Sequence, residues 1–211
     1  MDATPAGTRG AADEAVRAAC DRGEIDLAAT LALRQLGPEV YGFLVGTQGS
    51  DADADDAFSE LCVAVWRGLP GFDWRCSLRT WMYVLARHAG HRTRRQARRH
   101  AARRAHLPSS LASRLAAEIR TQTASFLGSR TKSAFQALRD ELDEDDRALL
   151  GLRVDRAMEW TDIARIFADE EPSDPESLKR TSARLRKRFQ VVKERLRKLG
   201  VERGLIDEGS S

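Results

Sequence analysis

Apolar residues recur every three or four positions through most of this chain, and alternating Val/Ile/Thr runs punctuated by hairpin turns do not occur in the sequence. That periodicity predicts helices and no sheet. A first helix is expected over Asp26–Val45, with Leu27, Leu31, Leu36, Val40, Phe43 and Leu44 as its apolar stripe and a bend near Gly37–Pro38. A second is expected over Asp53–Leu69, with Phe58, Leu61, Cys62, Val65 and Leu69 inward and an acidic first turn. After the loop Pro70–Cys76, Ser77 is the expected N-cap of a long helix, Leu78–Ala105, in which Trp81, Leu85 and Ala89 recur at spacing four.

Pro108 and the serines around it are expected to break helical order. Beyond them the pattern predicts a modest amphipathic helix over Leu111–Phe126. A further helix is marked by Phe135, Leu138 and Leu142, and others are expected over Glu144–Val154 and Thr161–Ala168. A last helix is capped by Asp174 with Pro175 at its first position, and runs to about Leu199, before Gly200. Its stripe is Leu178, Leu185, Phe189, Val192, Leu196 and Leu199. The expected architecture is therefore all-α, in two small helical domains: a loose tail over 1–22, a first domain over 23–105, a flexible linker over 106–120, a second domain over 121–200 and a tail over 201–211.

Charge changes the picture because it is segregated. Over 211 residues the net charge is only +3. Yet the stretch 78–105 holds nine arginines and no acid, while Asp51–Asp56, Asp140–Asp146 and Asp169–Glu176 are acidic clusters. A solvated helix face ordinarily mixes signs. An unbalanced arginine run containing Trp81 and Tyr83 suits a phosphate backbone and unpaired bases. The loop Phe72–Leu78 either packs over the core or receives a flipped base between aromatic walls. The pair Thr161–Ala168 and Asp174–Leu199 reads as a helix-turn-helix or as an ordinary hairpin. Its second helix carries Arg, Lys and Gln, the side chains that pair with guanine and adenine edges. The acidic start of the second helix suits either solubility or protein docking.

Other chemistry finds no support. Cys20, Cys62 and Cys76 form no CxxC pair, and no His–carboxylate set has metal spacing. There is no GxxxxGK[ST] or GxSxG motif, and 51–56 lacks the Gly and distal Glu of a calcium loop. No enzyme activity, cofactor or metal is expected. A polar, acid-bearing N-terminus and the lack of a 20-residue apolar run lead us to expect a cytoplasmic chain with no membrane insertion.

The segment 53–89 resembles region two of bacterial sigma-70 factors, and is most similar to the small extracytoplasmic-function class. It shares the Asp-Ala-Asp-Asp start, Glu60, Val65-Trp66-Arg67, Phe72 and the Arg-Thr-Trp-x-Tyr-x-x-Ala-Arg of 79–87. The segment 138–168 resembles region four, and the basic helix 184–199 resembles its recognition helix. The resemblance implies a dissociable polymerase subunit that directs promoter recognition. By position, Asp53, Asp56, Glu60 and Arg67 would dock on the beta-prime coiled coil of core RNA polymerase, with region four at the beta flap. Phe72, Asp73, Trp74, Arg75, Ser77, Arg79, Arg87, His88, Arg92 and Arg95 would face the minus-ten element. Lys179, Arg180, Arg184, Arg186, Lys187, Arg188 and Gln190 would face the minus-thirty-five element. An anti-sigma factor is an implied partner. Trp74, Arg75 and Cys76 stand where the family often keeps Pro or Gly, His88 where it often has Asn, and the turn Asp169–Pro175 is long, so no promoter sequence carries over. The alternative from the residues alone is a helix-turn-helix regulator that binds duplex DNA without polymerase.

Overall fold

The computed structural model describes residues 6–97, 110–128, 134–168 and 174–206. The described residues are helical with no strand, and the chain divides into two units, Met1–Ser125 and Phe126–Ser211.

Where a loose tail is expected over 1–22, the first unit instead opens with α1 (Ala6–Asp21). Val16 and Ala19 are fully buried. Gly23, at φ 73°, stops the helix: the Glu24 N–H donates to the Ala19 carbonyl at 3.0 Å and the Gly23 N–H to the Cys20 carbonyl at 2.9 Å. This is the Schellman closure, in which a left-handed glycine satisfies the last carbonyls. α2 (Ile25–Thr47) carries Pro38 inside it. α3 (Asp51–Gly68) begins at Ser50, whose hydroxyl accepts from the Asp53 N–H at 3.1 Å. After a 3₁₀ turn at Leu69–Gly71 and a loop, α4 (Leu78–Ala97) begins at Ser77, whose hydroxyl accepts from the Thr80 N–H at 3.1 Å, so the expected cap is present.

The core of this unit lies between α2, α3 and α4. Leu33, Leu44, Phe58, Leu61, Leu78, Met82 and Tyr83 are all fully buried, and Tyr41–Phe58 and Phe43–Tyr83 meet edge to face at 5.1 Å. The inward stripe expected on α3 is buried as read. On α4 it is shifted: Leu78, Met82, Ala86 and Ala89 face the core, whereas Trp81 and Leu85 are only half-buried.

The interval 110–120, expected as linker, lies within α5 (Ser110–Gly128). Leu115, Ala116 and Ile119 are buried, and the Arg120 guanidinium donates to the Ser59 hydroxyl at 3.0 Å. Gly37 makes the notch that admits this helix, because a Cβ there would stand 2.8 Å from Ile119 Cδ1. The boundary between units falls in the last turn of this helix rather than before it.

The second unit holds α6 (Ala134–Asp140), α7 (Glu144–Leu150) with a π turn over Gly151–Asp155, α8 (Trp160–Phe167) and α9 (Pro175–Glu202). Asp143 caps α7 through the Asp146 N–H at 2.8 Å, and Asp174 caps α9 through the Ser177 N–H at 2.6 Å, with Pro175 in the first turn as expected. Leu149, Leu152, Ile163 and Ile166 form its fully buried centre, closed by Leu185, Phe189 and Val192 of α9. α9 continues through Gly200. It closes at Gly204, φ 64°, through Leu205 N–H to the Gly200 carbonyl at 2.8 Å. The expected tail from 201 thus starts as the last turn of a helix.

Candidate nucleic-acid interface

The loop after α3 is built on aromatic stacking. Phe72 lies on Trp81 with ring centroids 4.7 Å apart and planes at 21°, and Trp74 packs on Phe72 at 4.7 Å. Trp74 holds φ 60°, a region costing a bulky residue on the order of 1–3 kcal/mol unless its surroundings impose it. Asp73 is one such constraint. Its carboxylate accepts from the Arg75 N–H at 3.2 Å and also bonds the Arg75 Nε. The backbone bond from Arg75 and the guanidinium together hold this carboxyl below the usual carboxylate range. Phe72 and Trp74 remain half-exposed, and Asp73 and Arg75 are exposed. The loop's aromatics thus pack on one another and still face solvent.

Helical phase decides which α4 residues join this cluster. At about 100° per residue, Trp81, His88, Arg92 and Arg95 fall within roughly 60° of one another. Arg92 and Arg95 are exposed and His88 is half-buried, so a basic stripe continues from the aromatic cluster along one side of α4. Arg79 lies across the helix from it. Expected on the DNA side, Arg79 is turned instead to Glu39 of α2, which it meets through Nε at 2.8 Å and through Nη2. Its side chain is 15% exposed. The Tyr83 hydroxyl donates to the same carboxylate oxygen at 2.9 Å. Arg87 is half-buried, and the Ser77 hydroxyl is engaged at the helix cap. Arg98, Arg99, Arg103 and Arg104 of the arginine run lie outside the described residues.

On α3, Asp53, Asp56, Glu60 and Arg67 share one side within about 60°. Asp56 and Arg67 are exposed, and Asp53 and Glu60 half-exposed. Arg120 of α5 meets Asp55 and Ser59, so α5 lies beside this acidic stripe.

On α9, the expected base-facing residues divide. Arg180, Arg184, Lys187 and Gln190 are exposed opposite the buried stripe, and Lys179 is exposed beside Glu176 at 3.5 Å. Arg188 is different: it bonds Asp146 at 2.5 Å and Asp143 at 3.0 Å and stands 3.6 Å from Asp145, fastening α9 to the start of α7. Burial opposes its charge, but the bond to Asp146 and the surrounding carboxylates outweigh burial and raise its pKa. Arg186 flanks the other edge of the stripe, with its guanidinium 5.7 Å from the Trp160 ring. Arg153 lies 5.2 Å from that ring. Glu39 as the partner of Arg79, Trp160 as that of Arg186 and the acids of α7 as those of Arg188 were not legible, since each of these pairings joins residues more than 20 positions apart. Among the described residues no group of three or more His, Cys, Asp or Glu could hold a metal ion, and no helix is long and apolar enough to cross a membrane.

The α2–α4 core thus presents an aromatic loop and a basic stripe on one side of α4. Residues 32–100, which span α2 to the described end of α4, match the family model of sigma-70 region 2. The match covers about a third of the chain and lies within the first unit. No curated protein and no solved structure matches the chain.

Proposed function

We propose that the chain is a two-domain sigma factor of the extracytoplasmic-function class. The acidic stripe of α3 docks on the beta-prime coiled coil of bacterial core polymerase. The Phe72–Trp74 loop and the His88–Arg92–Arg95 stripe hold the non-template strand of the minus-ten element. The second unit docks at the beta flap and reads the minus-thirty-five element, with α8–α9 as a helix-turn-helix and Arg180, Arg184, Lys187 and Gln190 toward the duplex. The observation that carries this reading is the continuity of the aromatic loop with the basic side of α4, inside the segment that matches region 2.

In this reading melting is driven by binding, since stacking of unpaired bases on aromatic rings is worth about 1–3 kcal/mol per base. The chemistry of RNA synthesis belongs to the core enzyme. A protein that masks these charged stripes, an anti-sigma factor, is the expected regulator. Run-off transcription with purified core polymerase and a genomic promoter library tests the assignment. New start sites that share a two-part upstream sequence are expected. Duplex binding without polymerase and without new transcripts would replace this reading with that of an independent helix-turn-helix regulator.

A further inference from the structure

We infer that α1 positions the base-capturing loop, with Arg17 as its positioning residue; this rests on the reading of that loop proposed above. The Arg17 guanidinium lies 5.6 Å from the centre of the Trp74 ring. This contact meets the loop at its left-handed tryptophan.

α1 is itself held, with Val16 and Ala19 fully buried and Gly23 closing its end. Arg17 is exposed, so its attachment to the unit runs through the helix rather than through burial of its own side chain. The bend of the loop is set locally by Asp73, but Asp73 does not by itself direct the Trp74 ring. Phe72 on one hand and Arg17 on the other do so. A ring whose direction is set before the nucleic acid arrives loses less freedom on stacking, so α1 tunes affinity and base preference without touching the polymerase-docking stripe.

The test uses the full chain bound to core polymerase and a fluorescein-labelled single-stranded DNA pool randomised over six positions. Arg17→Ala is expected to weaken binding of the selected sequences about five- to tenfold and to broaden the bases selected. Polymerase affinity and Tm are expected to stay at wild-type values. Arg17→Lys, which keeps a cation over the ring, restores most of the loss. In a Trp74→Ala background, Arg17→Ala costs nothing further. If Trp74→Ala weakens binding and Arg17→Ala does not, α1 only packs, and the inference is overturned while the loop reading stands. Tighter binding by Arg17→Ala would make the arginine a mask. An undiminished loss in the Trp74→Ala background would mean that Arg17 meets DNA on its own. Either result overturns positioning through Trp74. If Trp74→Ala has no effect on strand binding, the reading of the loop falls and takes the inference with it.

Discussion

Arg188 and Lys187 are neighbours with opposite expected roles. Arg188 holds three carboxylates, of which Asp146 is buried, so Arg188→Ala leaves a buried charge without its partner. The site is partly open to water, which discounts the full cost of breaking a buried pair. A loss of about 1–3 kcal/mol is expected in urea unfolding of the second unit. Lys187→Ala should alter stability by less than about 0.5 kcal/mol. It should instead lower duplex affinity and reduce the salt slope of binding by about one. Equal destabilisation by both would count against the division of α9 drawn here. Cys62 gives a second residue-scale outcome. Burial, its largest influence, pushes this thiol up to about 12. Since the folded pKa exceeds the unfolded one, the unfolded chain releases its proton first, and stability falls as pH rises from about 9 toward 12. Below about pH 9 the contribution is level. Alkylation of Cys62 at pH 8 should proceed only through opening of the first unit, read by mass spectrometry as a rate that tracks denaturant.

At the scale of elements, α5 depends on a notch rather than on charge. A Cβ at position 37 would meet Ile119 Cδ1, the end of a flexible side chain. Gly37→Ala gains up to about 1 kcal/mol of helix propensity against that crowding, so its net effect is expected to be small. Gly37→Leu cannot be accommodated and should release α5, making 110–128 sensitive to limited proteolysis, while the α2–α4 core stays protected. Protection of α5 in the leucine variant would show that other contacts hold it. Sequence periodicity found α2, α3 and α9 within a few residues, and the caps at Ser77 and Asp174 were legible because capping is local. α1 was missed because its stretch is rich in Ala and Gly and carries few large apolar residues, although Gly23 was a legible stop. The α4 stripe departs from expectation at Trp81 and Leu85 while Ala89 is buried as expected, because Trp81 is apolar yet turns toward Phe72, a partner supplied by the loop.

At the scale of the molecule, each unit has its own buried centre. Calorimetry of the full chain is therefore expected to show two transitions, with Arg188→Ala lowering one and leaving the other in place. A single transition moved as a whole by that substitution would show strong coupling between the units.

Helical class, the capped starts of α4 and α9, and the segregation of arginine from acid were all determined by the sequence, because period, capping and charge density depend on residues within a few positions of one another. Which arginines remain for nucleic acid was decided by tertiary structure. Arg79 and Arg188 look like their neighbours in sequence, but Glu39 lies 40 positions from the first and Asp143 lies 45 from the second. Only the packing of α2 on α4, and of α7 on α9, brings those carboxylates close enough to claim the charge. The same holds for the loop, where Arg17 reaches Trp74 because α1 is folded onto the unit rather than trailing from it.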